Sequence, residues 1–388
     1  MKTKIKVSDY IAQILYQQGV THIFEVVGGM ITHLIDSIHN QNKIKLVSTH
    51  HEQAAAFAAE GMARITGIAG VALATSGPGA TNLLTGICSC YFDSIPAVFI
   101  TGQVNRNELK NDREVRQLGF QETDIVAMAT SITKAAWRVH DPDEIPSFIE
   151  RAFKLANAGR PGPVLLDIPM DVQRSEITID TFKKAHKVRQ ANADKKVFRD
   201  LLRNMKVARR PLILVGGGVN SARAIDIFRK FVNRVKIPVV NSLMAIDALP
   251  YKHQFRVGLI GTYGNRWANL AIGQADFLLV LGSRMDIRQT GSDIDGFKGT
   301  KKIYHVDCDA GEINNRIKGC DPIISDLRSF LQLSLREFES LDFPDYRKWL
   351  DEINRLRSLW PDDHELKGID GINPNTLMHN IAKASKRA

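Results

Sequence analysis

The sequence predicts two three-layer α/β domains, each with a mainly parallel sheet covered by helices on both faces. Short apolar runs alternate with helical patterns, which is typical of parallel strands joined by helical crossovers. A polar, strongly charged stretch from Gln173 to about Lys196 separates two copies of this pattern. The length of 388 residues also accommodates two or three domains of ordinary size.

The first domain is assigned to residues 1–175. Ser8 precedes a helical pattern that stops at Gly19, and an apolar run then leads into Gly28-Gly29. Later apolar runs predict strands, and the small residues after His51 predict a helix. The expected strands are 45–48, 70–75, 97–101 and 164–168, and the expected helix is 52–66.

The second domain is assigned to residues 196–340, after a linker at 176–195. Its first strand is predicted at Pro211–Val215, followed by a triple-glycine turn. Residues 341–388 are interpreted as a connector and the start of a further domain, because a last helical pattern begins at Asn373. The remaining expected elements are strands at 239–240, 277–281 and 303–306 and a helix at 327–335.

Composition excludes several functional classes. The formal net charge is +10, but the basic residues are scattered and form no nucleic-acid-binding module. The four cysteines include no CxxC pair and no zinc-ligand spacing, so no metal site is expected. Neither a signal-peptide pattern nor an apolar stretch of membrane-spanning length is present. We expect a cytoplasmic protein without nucleic-acid or membrane partners.

Two segments of the first domain carry candidate chemistry. One is the helix start at Glu52, with a second acid, Glu60, slightly more than two turns later. A solvated acid favoured by the helix dipole is the ordinary interpretation of Glu52. The other is the turn 74–82 at the end of a predicted parallel strand, where doubly wound sheets bind ligands. It matches neither a Walker loop nor the dinucleotide-binding glycine pattern.

Further motifs follow in a fixed order through both domains. They are 51–53, 59–64, 74–82, 93–96, 100–104, 120–122, 159–169, 216–218, 241–244, 282–288, 290–291 and 307–309. Together they resemble acetolactate synthases and related thiamin diphosphate (ThDP) enzymes. The resemblance covers about residues 5–335 and implies a pyrimidine-binding domain followed by a Rossmann-like middle domain.

The resemblance implies roles for particular residues. Glu52 corresponds to the acid that hydrogen-bonds N1′ of the ThDP aminopyrimidine and favours its 4′-imino form, which takes the proton from the thiazolium C2. Gln121 is expected beside the reacting substituent. Without the resemblance, the glycines would be ordinary turn residues and Phe120 a core residue. The expected cofactor-binding residues of this domain are Gly28, Gly29, Ser76, Gly77, Pro78, Gly79, Asn82 and Phe120.

The middle domain resembles a flavin adenine dinucleotide (FAD) site, with arginines for phosphate and acids for ribose. Relatives use this domain for FAD, for another adenine nucleotide or for no ligand. The stretch 245–247 departs from a glycine-containing segment of flavin-binding members. The candidate residues are Gly216, Gly217, Gly218, Arg284, Asp286, Arg288 and Asp309.

The implied function is a ThDP-dependent carboligase that decarboxylates a 2-ketoacid, with pyruvate expected, and transfers the two-carbon unit to a second carbonyl. A simple 2-ketoacid decarboxylase and a non-catalytic nucleotide-binding subunit or remnant are the alternatives. The family's third domain, which holds Mg²⁺ and the cofactor diphosphate, has no counterpart after Asn373. We therefore expect weak or no turnover from this chain alone. The expected assembly is a homodimer or homotetramer, and a separate chain is a candidate source of the third domain.

Two departures from the family pattern concern the substrate. Glu25 and Val27 stand where the family has Gly and Pro before the double glycine, so the pocket entrance is expected to differ. The stretch 105–119 is longer and more charged than in biosynthetic acetolactate synthases of branched-chain amino acid synthesis. Because small changes in pocket contacts set substrate preference, the acceptor is left open.

Overall fold

The computed structural model describes residues 3–179, 195–364 and 370–385. The chain divides into two compact units, Met1–Val188 and Arg189–Ala388. Each contains a six-stranded sheet in which every pairing is parallel, with apolar cores on both sheet faces. The prediction of two three-layer α/β folds is confirmed. In the described ranges, no helix is both long and apolar enough to cross a membrane.

The sheet of the first unit has the strand order β3-β2-β4-β5-β7-β6, and β1 pairs antiparallel with β8 in a separate two-stranded sheet. The strands of the first unit are β1 Thr3–Lys6, β2 His22–Glu25, β3 Lys45–Ser48, β4 Gly70–Ala74, β5 Ala97–Gln103, β6 Ala135–Arg138, β7 Pro163–Pro169 and β8 Glu176–Ile179. Its helices are α1 Val7–Gln17, α2 Thr32–Gln41, α3 Glu52–Thr66, α4 Pro78–Asn82, α5 Leu84–Asp93, α6 Ile125–Ala129, α7 Ile145–Asn157 and α8 Met170–Arg174.

The sheet of the second unit has the order β11-β10-β9-β12-β13-β14. Its strands are β9 Pro211–Val215, β10 Val239–Asn241, β11 Arg256–Leu259, β12 Phe277–Leu281, β13 Lys302–Asp307 and β14 Asp321–Ile324. Its helices are α9 Lys195–Val207, α10 Gly218–Ser221, α11 Ile225–Val235, α12 Arg266–Gln274, α13 Ile287–Thr290, α14 Ile294–Lys298, α15 Leu327–Glu337, α16 Arg347–Leu359 and α17 Pro374–Ala384.

Small side chains bring α3 unusually close to the first sheet and to α5. A Cβ atom on Gly70 of β4 would lie 2.0 Å from the carbonyl oxygen of Ala59. One on Gly86 of α5 would lie 2.3 Å from the Cβ of Ala56. Since real contacts are never this short, glycine and alanine are required here, and the position of the α3 N-terminus is set by tight packing.

Two segments have more structure than the linker and connector assignments suggested. Residues 176–179 of the expected linker form β8, and most of the remainder lies outside the described residues. Within the expected connector, α16 buries Trp349, Ile353 and Leu356 against the second unit. Their spacing of three to four residues places them on one helix face, and burial of that face explains the helix.

One histidine lies fully inside the second unit. His305 on β13 is 0% exposed, and neither ring nitrogen has a hydrogen-bond partner among the described residues. Burial lowers the pKa of His305 to about 4, and the nearby backbone of Ser283 opposes this shift only in part. The imidazole is therefore neutral in the fold at physiological pH.

We expect His305 to make the second unit acid-sensitive. Its pKa is lower in the fold than in the unfolded chain, so its full contribution to stability is present above about pH 6.5 and is lost as pH falls towards 4. The free energy of unfolding should fall by about 2 kcal/mol between about pH 7.5 and about pH 5. Urea denaturation at both pH values should show a smaller difference for His305→Gln and an unchanged one for the exposed control His364→Gln. An equal pH effect in all three proteins would contradict this account.

Candidate active site at the carboxyl edge of the first sheet

Three turns meet at the carboxyl edge of the first sheet, because β3, β2 and β4 are neighbouring parallel strands. The turn after β2 carries Gly28 and Gly29, the one after β3 leads to Glu52, and the one after β4 contains Ser76 and Gly77. The carboxyl ends of parallel strands are where open α/β sheets bind ligands. The topology therefore groups residues of different turns that are 23 to 49 positions apart in sequence.

Glu52 is the first residue of α3 and is largely buried, with 9% of its surface exposed. Its Oε2 atom accepts a hydrogen bond of 2.9 Å from Nδ2 of Asn82, the last residue of α4. Below it, the His51 ring caps the helix by accepting from the backbone N–H of Gln53 at 3.1 Å. One carboxylate oxygen of Glu52 is thus held by Asn82, and the helix start is fixed independently.

The other carboxylate oxygen of Glu52 faces the glycine turn. A Cβ atom on Gly79 would lie 3.2 Å from Oε1 of Glu52 and 2.8 Å from the Thr75 methyl carbon. Pro78, at the first turn of α4, is suited to that position by its fixed φ. The absence of a side chain at position 79 therefore keeps Oε1 uncovered on that side.

Gly28 and Thr75 bring the turns after β2 and β4 into direct contact. A Cβ atom on Gly28 would lie 2.4 Å from the Cβ of Thr75, so no larger residue fits. The Thr75 hydroxyl also accepts from the backbone N–H of Met30 at 3.2 Å. Gly29 differs, because a Cβ there would meet no atom within 4 Å. Gly28 is required by packing, whereas Gly29 lines open space.

Ser76 has a buried hydroxyl without a partner. The residue is 2% exposed, and its Oγ makes no hydrogen bond to any described residue. Buried polar groups are nearly always paired with protein, water or ligand. A hydrogen-bonding group from a bound molecule would satisfy it.

Gln121 packs on the same turn in a strained conformation. Its φ of 59° is in the left-handed region, which costs free energy for a residue other than glycine. Gly77, with φ of 64°, accommodates it, because a Cβ on Gly77 would lie 2.7 Å from that of Gln121. The adjacent Phe120 is 74% exposed. The structure thus places Gln121 against the glycine turn and leaves the Phe120 ring outside the core.

Glu122 ties down the loop that leads to Gln121. Its carboxylate accepts from the backbone N–H groups of Lys110 at 2.7 Å and Leu118 at 2.8 Å. The backbone N–H of Gly119 also donates to the Glu108 carbonyl at 2.8 Å. The long charged stretch 105–119 is therefore fastened at both ends next to the site.

Sequence reasoning treated Glu25 only as a departure from a family pattern, whereas the structure makes it a buried acid at the same edge. Glu25 ends β2, is 1% exposed and accepts a hydrogen bond from the Ser48 hydroxyl. Its Oε2 atom has no partner among the described residues. The alternation of the strand, with Ile23 in the core, is the signal that places residue 25 inside.

Asp167 on β7 is a second buried acid that sequence reasoning did not single out. It is 0% exposed and accepts from the Thr101 hydroxyl at 2.8 Å, Gln103 Nε2 at 3.1 Å and Arg138 Nε at 2.8 Å. Burial raises the pKa of Asp167, while the charge of Arg138 opposes that rise. Because its hydrogen bonds connect β5, β6 and β7, we assign it a structural role.

The triple glycine of the second unit lies at the carboxyl end of β9 and packs against the turn after β12. A Cβ on Gly216 would lie 2.1 Å from the Gly282 carbonyl oxygen, and one on Gly218 would lie 2.8 Å from the Gly282 Cα. A Cβ on Gly217 would lie 2.9 Å from that of Met244. These glycines are therefore required for close packing between turns, whether or not a nucleotide binds.

The two candidate ribose acids of this unit accept hydrogen bonds from backbone groups. Asp286 caps α13 by accepting from the backbone N–H of Arg288 at 2.9 Å, and Arg284 lies 3.9 Å from its carboxylate. Asp309 accepts from the Gly311 N–H at 2.9 Å. Both arginines are exposed at the sheet's carboxyl edge. The cations are thus open to a ligand, whereas each acid already has a structural hydrogen bond.

Comparison with protein-family models identifies both units. Residues 5–128 match the model described as "Thiamine pyrophosphate enzyme, N-terminal TPP binding domain". Residues 198–333 match "Thiamine pyrophosphate enzyme, central domain". The first match includes Glu52, the glycine turn and Gln121, and the second includes the triple glycine. Among the described residues, no three His, Cys, Asp or Glu side chains are grouped to hold a metal ion.

Curated relatives match along nearly the whole chain. The acetolactate synthase large subunit of Lactococcus lactis is 35% identical over 381 residues, which is 97% of this chain and 64% of the relative. The probable acetolactate synthase large subunit of Methanocaldococcus jannaschii is 37% identical over 92% of this chain and 60% of its own length. The acetolactate synthase large subunit of Corynebacterium glutamicum is 36% identical over 93% of this chain and 57% of its own length. The chain thus spans less than two thirds of these relatives.

We expect Gly79→Ala to disturb the site through steric pressure on Thr75 and on Oε1 of Glu52. Overpacking of this kind costs about 1–3 kcal/mol of unfolding free energy. Gly29→Ala is the matched control and should change stability by less than about 0.5 kcal/mol, since its Cβ meets open space. Urea denaturation followed by circular dichroism measures both. Equal effects of the two substitutions would show that the turn does not pack as described.

Proposed function

The chain belongs to the thiamine pyrophosphate enzyme family, and from that premise we propose that it acts in an acetolactate synthase-type carboligase. The reaction we propose is decarboxylation of a 2-ketoacid, with pyruvate as donor, followed by transfer of the two-carbon unit to a second carbonyl compound. Support comes from relatives named acetolactate synthase, which match 92–97% of this chain at 35–37% identity.

The proposal rests mainly on the surroundings of the two Glu52 carboxylate oxygens. Asn82 holds one of its oxygens, and the glycine turn leaves the other without a covering side chain. The unpaired Ser76 hydroxyl lies in the same turn. A buried acid, a buried hydroxyl and side-chain-free backbone suit a flat, polar ring such as an aminopyrimidine. We therefore propose that these residues hold the pyrimidine of ThDP.

When bound, ThDP supplies a thiazolium ring that stabilises the carbanion formed by loss of carbon dioxide. The proposed role of Glu52 is to share a proton with the ring nitrogen N1′ through Oε1. Asn82 keeps the carboxylate in one orientation, which is required because proton sharing depends on hydrogen-bond distance. Close packing of α3 against β4 and α5 fixes the distance of Glu52 from the sheet.

We propose that Gln121 and Phe120 contact the substrate. The backbone strain at Gln121 supports this, because strained residues are retained where a function requires the geometry. Exposure of the Phe120 ring leaves an apolar surface beside the glycine turn for a small ketone or aldehyde. The loop that Glu122 fastens would then determine which acceptor fits.

Magnesium and the cofactor diphosphate are proposed to bind a segment that corresponds to the unmatched part of the relatives. That segment belongs either to the same polypeptide or to a separate chain in the assembly. The proposal is supported by the 55–64% of relative length that the matches span. Oxygen-rich Mg²⁺ sites also commonly combine carboxylates with substrate phosphates.

We propose FAD as the ligand of the second unit. The exposed arginines Arg284 and Arg288 at the carboxyl edge of its sheet support phosphate binding there. The use of Asp286 as a helix cap and of Asp309 in a turn gives no support to ribose contacts by these acids. A dinucleotide site needs cations for the phosphates and acids for the ribose hydroxyls. The exposed arginines support the phosphate contacts, and the two acids do not add support for the ribose contacts.

A second copy of the chain is the proposed partner of the first unit. Helices α3 and α5 pack on each other, and both carry exposed apolar side chains. Phe57 is 43% exposed, Ile65 88% and Phe92 57%. Large apolar side chains that lie exposed on a protein support an interaction surface where they form a patch. We therefore propose assembly as a homodimer or a homotetramer.

Product analysis tests the proposed reaction. The protein, together with the chain that carries the unmatched segment where this is separate, is supplied with ThDP, Mg²⁺ and pyruvate, with and without a second ketoacid. We expect pyruvate consumption and a hydroxy-ketoacid product, and Glu52→Gln should lower turnover by about 100-fold or more. Glu150→Gln, an exposed acid on α7, is the matched control and should leave turnover unchanged.

The alternatives give different products. Release of a free aldehyde without carboligation would identify a 2-ketoacid decarboxylase. Lack of any pyruvate consumption in the assembled protein, despite bound ThDP, would favour a non-catalytic subunit. The visible spectrum of the same protein reports bound flavin directly.

A further inference from the structure

A buried polar network crosses three neighbouring strands of the first sheet. Thr101 on β5, Asp167 on β7 and Arg138 on β6 are in register, so their side chains lie on one face of the sheet. Thr101 and Asp167 are both 0% exposed. On the same face, two residues earlier, Phe99 and Leu165 belong to an apolar core cluster. An apolar residue at position 167 would suit this pattern, whereas the acid found there needs hydrogen-bond partners.

Pairing of the strands does not require this network, because backbone hydrogen bonds already join β5, β6 and β7. What the network adds is a donor to a residue outside the sheet. Gln103 follows Thr101 by two residues and is 1% exposed. Its Nε2 atom donates to Asp167 Oδ2 at 3.1 Å and to the carbonyl oxygen of Thr123 at 2.9 Å. Its Oε1 atom accepts from the backbone N–H of Val104 at 3.0 Å, so the orientation of the amide is fixed.

Arg138 supplies a second donor to the same carbonyl oxygen. Its Nε atom donates to Asp167 Oδ2 at 2.8 Å. Its Nη2 atom lies 3.4 Å from the Thr123 oxygen and 3.4 Å from Oδ1 of Asp124. Asp124 in turn caps α6 by accepting from the backbone N–H of Ala127 at 3.3 Å. The buried carboxylate thus orients two donors, and both converge on the residue that precedes the cap of α6.

Thr123 connects this network to Gln121. The Thr123 hydroxyl donates to the Gln121 carbonyl oxygen at 3.3 Å. Gln121 has a φ of 59° and packs against Gly77. A strained residue keeps such a conformation only where its surroundings hold it there. The network at Thr123 provides that restraint on one side, and Glu122 fastens the preceding loop on the other.

We propose that Gln103 is a positioning residue for the ketoacid substrate. It holds segment 119–124 so that Gln121 stays against the glycine turn, and Asp167 orients its amide. This role rests on the proposed contact between Gln121 and the substrate, since Gln103 is itself buried and acts through the segment. Glu52 belongs to a different turn, so the network should influence substrate binding and leave cofactor activation unchanged.

Hydrogen–deuterium exchange of the full-length chain, followed by mass spectrometry, tests whether Gln103 restrains the segment. Gln103→Met removes both Nε2 hydrogen bonds with little change in side-chain length. Thr101→Val is the matched control, because it removes the hydrogen bond of 2.8 Å to the other oxygen of the same buried carboxylate. We expect backbone exchange in segment 119–124 to become about tenfold faster in Gln103→Met and to stay unchanged in Thr101→Val.

A second variant leaves the buried network intact. Thr123→Val removes only the hydroxyl that donates to Gln121, and Thr123 is half-buried, so the fold should be retained. In the assembled protein supplied with ThDP, Mg²⁺ and pyruvate, we expect KM for pyruvate to rise about tenfold in Gln103→Met and severalfold in Thr123→Val. The exchange rate of the thiazolium C2 proton should match that of the unchanged protein in both variants.

The control variant and the two enzymatic readouts separate positioning from a purely structural role. Faster exchange of segment 119–124 in Thr101→Val and Gln103→Met alike would overturn the proposal. Unchanged segment exchange in Gln103→Met, or an unchanged KM or a slowed C2 exchange in that variant of an active assembled protein, would overturn it as well. If the unchanged protein consumes no pyruvate, the proposed function fails, whereas the exchange measurement still decides whether Gln103 holds the segment.

Discussion

The hydrogen bond between Asn82 and Glu52 joins two helices that follow different strands, and the candidate active site is arranged around it. It exists only because the parallel topology brings the ends of β3 and β4 to one edge, on either side of β2. Close packing through Ala56, Ala59 and the glycines facing them then sets the height of α3. A shift of α3 would move the carboxylate relative to every other residue of the site.

Much of this arrangement could be predicted from sequence. The helix from Glu52 to Thr66 has the predicted bounds, because its small residues and its terminal Gly67 define both ends locally. Most strands of both sheets followed from apolar runs, but β6, β11 and β14 were not among those predicted. The association of Glu52 with the turn 74–82 came from ordered family motifs, since periodicity alone does not relate distant turns.

Other features depend on tertiary contacts that sequence does not reveal. The pairing of β8 with β1 gives structure to residues that were assigned to a linker and buries Ile177 and Ile179. Helix α16 follows from burial of Trp349 in the second unit. Burial of Glu25 and the left-handed conformation of Gln121 depend on neighbours far along the chain. Asp286 caps α13 by accepting from the backbone N–H of Arg288, a local contact that residue type alone did not predict.

The central claim is that Glu52 activates the cofactor by sharing a proton with the aminopyrimidine. Its most direct measurement is the rate at which the thiazolium C2 proton of bound ThDP exchanges with deuterium, followed by acid quench and proton NMR in the assembled protein. We predict that Glu52→Gln slows this exchange by about 100-fold or more while ThDP still binds. An unchanged exchange rate in a variant with ThDP bound would contradict the account.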